Sequence, residues 1–507
     1  MSVVKLSASS RDLREFLNRP LSTFGCVLGW VIATVVFLGV TAWIGGPVQG
    51  DAALSIFTTW AIAHGHVACS YPSFGFHNLP TLIQPNAFLP PLYPLLSAGV
   101  LFLVHSTYNV PFPTSAHLGK HCLTASGAMF NWAVKARAIM PTIRIGYLAW
   151  IALLAGVVGL LRAAGRGRNG WEPATLLFLA VSAPLSECLT EYFHPQDILA
   201  MGLALGSLAC ALRGRWAWAG MLVGLAFTSN QFALLFAGPL FVIAPREWKV
   251  KFPGAAFAAV FLISVPVIIL TSGDAFSASL LGTGFTPAAG GGTLLSVTHL
   301  KGAVLFSIAR ITPILLAMAL AWWAKRRLAD DVLQPIPLMS IIATALALRL
   351  AFEFSLYGYF FLGAATMLIV IDFYSGRIRG TMITWLALVT VFFDPFPWGF
   401  ASNGQPWGLS AREWLPNVFV IVAAAIIMTD LLKHRVRWYV VAAGLLVGVT
   451  LVKWPWNHEI IRQLLPTWII QLALVPFAIW LAVDPLLKAI QQSRDVKPSI
   501  ELASAAT

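Results

Sequence analysis

The sequence predicts an all-α polytopic membrane protein of about 14 transmembrane helices, with interfacial helices in its first outer loop. Three observations carry that reading. Of 507 residues, 58% are hydrophobic and only 10% are charged, where a soluble domain carries roughly 25% charged residues. Apolar runs long enough to cross a bilayer, about 20 residues each, recur along most of the chain. The basic residues gather in short clusters between those runs, as the positive-inside rule requires of cytoplasmic ends. A soluble enzyme, a secreted disulfide scaffold and a disordered tail are excluded by the same composition. No polar stretch is long enough for a separate soluble domain.

Each element follows from run length and flanking charge. Arg11, Arg14 and Arg19 precede a long apolar run without a small-residue cleavage site, so the N-terminus reads as a retained anchor. Span 1 (22–45) leaves the cytoplasm. Span 2 (about 137–161) returns to Arg162, Arg166 and Arg168. Span 3 (173–193) exits, and span 4 (198–212) re-enters to Arg213 and Arg215. Basic groups bracket 216–245, which reads as a hairpin of two short helices turning at Ser229-Asn230-Gln231. Span 7 (252–271) exits and span 8 (303–324) returns to Lys325, Arg326 and Arg327. Later spans alternate, with Arg377/Arg379 and Lys433/Arg435/Arg437 at inner ends and Lys488, Arg494 and Lys497 on an inner tail. Most basic residues thus face the cytoplasm, so the net charge of +13 reports orientation and implies no nucleic-acid partner.

Three outer segments are too long for simple turns: 46–136, 272–302 with Gly290-Gly291-Gly292, and 394–414. Within the first, the apolar but proline-broken stretch 88–104 suits a helix lying in the interface, with Tyr71, Tyr93 and Tyr108 at headgroup depth. No internal repeat of the transporter kind is visible, and no Walker A sequence.

Ionisable groups in membrane helices cost about 2.5–3.5 kcal/mol at mid-span, so each asks for a function. They cluster on the outer side. Asp51 follows span 1, and a helix cap or solvated loop acid accounts for it as readily as a general base. Asp197 ends Glu187-Cys-Leu-Thr-Glu191-Tyr-Phe-His194-Pro-Gln-Asp197 at the mouth between spans 3 and 4, where a bare cap explains less of the polar cluster. Two such acids in one cavity would supply a base and a group that orients it or binds a sugar hydroxyl. Arg310 lies about two turns inside span 8 with no acid within one turn, which suggests an anionic ligand such as a lipid phosphate. His299 and Lys301 precede that span. Arg349 and Glu353 stand at i and i+4, where a simple helix pair competes with ligand binding.

His64, His66 and His77 with Asp51 lack the spacing of a metal set, and a metal is not expected. Cys69 and Cys122 share the first outer segment, where a disulfide can form; Cys26, Cys188 and Cys210 read as small core residues. The 20 tryptophans suit interface belts, with Trp398 and Trp407 also able to line a sugar site.

This arrangement resembles the GT-C-fold glycosyltransferases that use polyprenyl-phosphate sugars, among them the lipid A aminoarabinose transferases, protein O-mannosyltransferases and mycobacterial polyprenol-phosphate-mannose mannosyltransferases. Four places carry the likeness: Asp51 after the first span, Pro90-Pro-Leu-Tyr-Pro94 before a span opening with Arg137, Asp197, and the Gly-rich hairpin from Gly220 through Gly224 to Asn230 and Gln231. Where several relatives carry Thr-Lys-Gly at the hairpin turn, this chain has Ser229-Asn230-Gln231, and Ala52 stands where the family usually has a second acid.

The resemblance implies a catalytic GT-C-like module over 1–302, followed by additional helices over 303–507. It implies a bacterial inner-membrane enzyme with both termini cytoplasmic and the active site outside. The reaction would be inverting transfer of a sugar, mannose or another hexose or pentose, from a polyprenyl monophosphate to a lipid, glycan or protein acceptor. Asp51 would be the base. Asp197, Glu191, His194, Gln231, Tyr71 and His66 would bind donor and acceptor, and Arg310, Arg349 and Lys301 the phosphate. No cofactor is implied, because fixed cations can hold the leaving group. The competing readings are a transporter or flippase for an amphipathic substrate, which predicts repeats and mid-depth ions, and a noncatalytic membrane scaffold.

Overall fold

The computed structural model describes residues 15–44, 90–108, 139–190, 193–270, 293–298, 302–353, 356–376, 378–393 and 467–505, with isolated residues between 55 and 65. Among them the regular elements are helices, as an all-α polytopic membrane protein requires. In chain order these are α1 (Thr23–Ile44), α2 (Leu92–Tyr108), α3 (Ile139–Gly146), α4 (Ala149–Ala163), α5 (Trp171–Ala180), α6 (Ala183–Thr190) and α7 (Pro195–Leu212). There follow α8 (Trp216–Phe227), α9 (Leu234–Ile243), α10 (Lys251–Leu270), α11 (Gly302–Leu328), α12 (Pro335–Ala351), α13 (Leu362–Tyr374), α14 (Gly380–Phe393) and α15 (Thr467–Ala505). Among the described residues six helices are long and apolar enough to cross a membrane, and shorter apolar helices pack between them. Several spans expected beyond residue 393 lie outside the described residues.

The hairpin expected after Trp216 is present as α8 and α9, and α10 and α11 match the expected spans 7 and 8 within a few residues. Span 3 is corrected: it is two helices, α5 and α6, broken at Val181 and Ser182. The break has a local cause. Pro184, in the first turn of α6, has no N–H to continue the α5 ladder, and the Ser182 hydroxyl donates to the Leu179 carbonyl at 2.7 Å instead.

Helices in lipid gain little from apolar burial between them, so close backbone approach must come from small residues. α4 and α7 cross at Gly156 and Gly202. A Cβ on Gly202 would stand 2.3 Å from the carbonyl carbon of Ala152, and one on Gly156 2.3 Å from the Gly202 oxygen. α8 lies on α10 in the same way: Cβ atoms on Gly220 and Gly224 would come within 2.1 and 2.3 Å of the Phe252 and Ala256 oxygens. The small-xxx-small spacing of Gly220 and Gly224 is therefore a packing device. It fixes the hairpin against the next span. The outer faces of α1 and α10 carry exposed Phe24 (75%) and Phe257 (71%), surface suited to lipid.

The end of the bundle where the basic clusters between helices fall is held by ions with partners. Glu172 is fully buried and accepts from Arg162 Nε and Nη2 at 3.0 Å, from Trp30 Nε1 at 2.8 Å and from the Arg168 amide at 3.0 Å. Asp372 takes Arg379 Nε at 2.6 Å and its amide at 2.8 Å, and the same guanidinium donates to the Leu481 carbonyl of α15. Lys325 donates to the carbonyls of Val242, Ile243 and Ala244, closing the C-terminus of α9.

Overpacking a backbone contact costs about 1–3 kcal/mol. Gly202→Ala is therefore expected to lower the unfolding temperature of the detergent-purified protein by several degrees. Gly99→Ala, at a position with open space around it, is expected to leave that temperature unchanged or slightly raised. Equal melting of the two variants would contradict the close α4–α7 crossing.

Candidate functional site

The site is built where α6 gives way to α7. Phe193 takes a left-handed backbone (φ 51°), which costs about 1–2 kcal/mol for a residue with a Cβ. Its side chain is fully buried against Gly146, where a Cβ would meet the ring at 2.7 Å. That reversal aims His194, Pro195, Gln196 and Asp197 at the neighbouring helices. Pro195 opens α7, where its missing N–H costs nothing. Asp197 sits in the first turn, favoured by the positive end of the helix dipole. Its side chain is 5% exposed.

Asp197 is held from the hairpin turn. Asn230 caps the short 3-10 helix Gln231–Ala233, its Oδ1 accepting the Phe232 amide at 3.0 Å, while its Nδ2 donates to Asp197 Oδ1. The Ser229 hydroxyl donates to the Gln196 carbonyl at 2.9 Å. The Leu92 amide that opens α2 donates to the Thr228 carbonyl at 2.9 Å. Three of the four places that carry the sequence resemblance, Pro90–Pro94, Asp197 and the hairpin turn, are therefore joined by hydrogen bonds. Asp51, the fourth, lies outside the described residues. Of the stretch after it, Ser55, Thr58, Thr59 and Trp60 are buried. Thr59 shares a hydrogen bond with Ser97 of α2, and Trp60 donates to Thr142 of α3, both at 2.8 Å.

The cations come from two other helices. Arg349 in the last turn of α12 donates through Nε to Glu353 Oε1 at 2.5 Å, and Arg310 of α11 reaches the same oxygen at 3.5 Å. Glu353 is 1% exposed. One carboxylate thus stands between two guanidiniums. The Arg349 guanidinium also lies over the rings of Phe232 (5.6 Å) and Phe360 (5.4 Å), contacts that favour a cation. The sequence placed no acid within a turn of Arg310, and none is on its helix. The expectation of an unpaired guanidinium is nonetheless corrected, because Glu353 arrives from beyond α12.

A 3-10 turn, Gly358–Phe361, closes the site. Tyr359 on it stacks on the His194 ring at 4.3 Å and beside Tyr357 at 5.9 Å. Gly358 permits this, since a Cβ there would lie 1.8 Å from a Glu187 carboxylate oxygen. Asp197, Phe232, Leu346, Arg349, Tyr359 and Phe360 line one narrow pocket, floored by Leu362 to Ala364. It has room for about one water molecule.

Of the predicted site residues, the structure brings Asp197 and Arg349 into one pocket, with Arg310 joined to it through Glu353 and His194 through Tyr359. Gln231 is in the adjoining turn, but Phe232 forms the wall. Asp51, Glu191, Tyr71, His66 and Lys301 lie outside the described residues, as do Cys69, Cys122, His64, His77, Trp398 and Trp407. Tyr93, expected at headgroup depth, is instead buried in the protein with 3% exposure, since α2 packs on α3 and α7. Among the described residues no group of three His, Cys, Asp or Glu could hold a metal. Sequence reading missed Asn230 as a partner of Asp197 and Phe232, Tyr359 and Phe360 as the walls. An Asn before a short helical turn signals a cap, but not its second partner.

Residues 137–351 match the family model of Glycosyltransferase family 87. The match indicates a glycosyltransferase and is consistent with a GT-C-type membrane enzyme. It includes Asp197, Asn230, Arg310 and Arg349 and ends two residues before Glu353. No curated protein and no solved structure matches the chain.

Removing one partner of a buried ion cluster is strongly destabilising. Glu353→Ala is expected to cost about 3 kcal/mol, the low end of the usual range because Arg310 is partly exposed. The cost reads out as a lower unfolding temperature in detergent. Glu353→Gln, which keeps an acceptor, is expected to lose less. An unchanged transition in Glu353→Ala would contradict the shared carboxylate.

Proposed function

We propose that the protein is an inverting glycosyltransferase that moves a sugar from a polyprenyl monophosphate to a hydroxyl of a lipid, glycan or protein acceptor, on the outer face of a bacterial inner membrane. The observation that supports this reading is a buried acid, Asp197, and a cation, Arg349, lining one pocket at the end of the bundle opposite the Glu172 and Asp372 ion clusters.

The chemistry asks for few groups. The acceptor oxygen attacks the anomeric carbon, the bond from that carbon to the phosphate oxygen breaks, and the electron pair leaves with the polyprenyl phosphate. Asp51 takes the acceptor proton, a contribution of roughly 100- to 10,000-fold in rate. Asp197, fixed by Asn230, holds a sugar hydroxyl in register. Arg349 commits one of its five N–H donors to Glu353, which leaves others for the phosphate. With Arg310 and Lys301 it balances the charge that builds on the leaving group, and one such donor is worth about 2.7–4 kcal/mol in a dry site. Glu191, His194, Gln231, Tyr71 and His66 complete the donor and acceptor walls. Fixed cations do the work a metal would do elsewhere. Because the pocket is narrow, donor binding moves the Phe232 and Phe360 rings apart around Arg349.

The test is transfer of radiolabel from polyprenyl-phosphate sugars to a membrane lipid extract by the purified protein in liposomes. Arg349→Met is expected to lower kcat/KM by about 100-fold, the loss of about 2.7 kcal/mol of charge stabilisation. Asp51→Asn is expected to abolish transfer while donor binding persists. Turnover near wild type in Asp51→Asn removes the base assignment, and release of unhydrolysed donor across the membrane without transfer would favour a flippase.

A further inference from the structure

The long C-terminal helix α15 lies beyond the family match, yet one of its side chains bonds the backbone next to Arg349. Gln471 is fully buried. Its Nε2 donates to the Leu350 carbonyl at 2.5 Å, and its Oε1 accepts the Leu294 amide at 2.8 Å. Leu350 follows Arg349 in the last turn of α12, where carbonyls have no partner within the helix. Leu294 opens a short helical turn, Leu294–Val297, at the end of the second outer segment and just ahead of α11, which carries Arg310. Between the two bonded points lies a separate apolar cluster of Leu295, Leu305 and Ala309, with Ile308 and Phe352 packed on it. Phe352 precedes Glu353. A single amide therefore ties the end of α12, which carries Arg349, to the turn whose Leu295 packs on Leu305 and Ala309 of α11, next to Arg310.

We infer that Gln471 is a positioning residue, which through its bonds to Leu350 and Leu294 holds the two arginines in place around the donor's phosphate. It touches no substrate. The inference rests on the functional reading above and extends the site into the C-terminal helices. Both amide functions are used, one as donor and one as acceptor, so no apolar side chain and no carboxylate can replace it. In a low-dielectric interior an amide left with half its bonds is costly, which favours keeping both. When they are lost, the turn at 293–298 and the end of α12 move independently, and the two guanidiniums no longer share one anion.

Gln471→Met keeps the side-chain volume and removes both bonds; Leu486→Ala, about 22 Å further along the same helix, removes buried apolar volume away from the site. Three measurements decide the matter: hydrogen exchange of the 293–298 amides, affinity for a long-chain polyprenyl phosphate, and kcat and KM for sugar transfer. In Gln471→Met the 293–298 amides are expected to exchange faster. Its Kd for polyprenyl phosphate and its donor KM are expected to rise 5- to 20-fold, with kcat within twofold of wild type. Leu486→Ala is expected to melt earlier with Kd and KM unchanged. Unchanged exchange in Gln471→Met, or faster exchange with unchanged Kd and KM, overturns the inference. A loss of kcat in step with a lowered melting temperature in both variants also overturns it, as a purely structural role would do. A wild-type protein that binds and transfers nothing instead overturns the functional reading, and the inference falls with it.

Discussion

A charge buried among helices persists only where other groups in the protein satisfy it, because water is absent and a lone ion costs several kcal/mol. The charged residues of this chain obey that constraint in two ways. At one end of the bundle Glu172, Asp372 and Lys325 have their hydrogen-bonding needs met by neighbouring helices, and the ions serve as fasteners. At the other end the balance is different. Glu353 is shared by two guanidiniums, and Asp197 accepts from the Asn230 amide in the pocket that Arg349 also lines. At the first end the ions lock helix ends to one another. The second gathers ionised groups from α7, α11, α12 and the turn beyond α12 around one pocket.

Backbone proximity makes this second end possible. Gly202 and Gly156 let α7 lie against α4, and Gly220 and Gly224 press the α8–α9 hairpin against α10. The hairpin turn then reaches the start of α7 closely enough for Asn230 to bond Asp197 and for Ser229 to bond Gln196. A side chain at any of these glycines would push the turn away. The strained Phe193 backbone adds the last change of direction.

Much of this was legible in the sequence, and the limits are physical. Run lengths and basic clusters placed α7 to α11 because the bilayer thickness and the side preference of Lys and Arg act locally along the chain. The hairpin turn and Asp197 stood out because polar residues in an apolar context are costly. The break in span 3 leaves no mark in the hydropathy, which does not register a missing N–H at Pro184. The Arg310–Glu353 contact was invisible because spacing reveals only neighbours three or four residues apart, whereas these two are 43 apart in sequence. Gln471 gave no signal either, since a single amide in a long apolar helix is read as tolerated polarity until its two partners are seen.

The most direct test of the central claim is to locate the lipid phosphate on the protein. A polyprenyl phosphate carrying a photoreactive group beside its phosphate, activated in liposomes and followed by mapping of the modified residues, reports where the head group rests. The account predicts modification within 228–233 and 357–364, around Phe232 and Phe360, and competition by unmodified polyprenyl phosphate. Modification confined to the lipid-facing surfaces of α1 and α10, with none near Arg349, would contradict it.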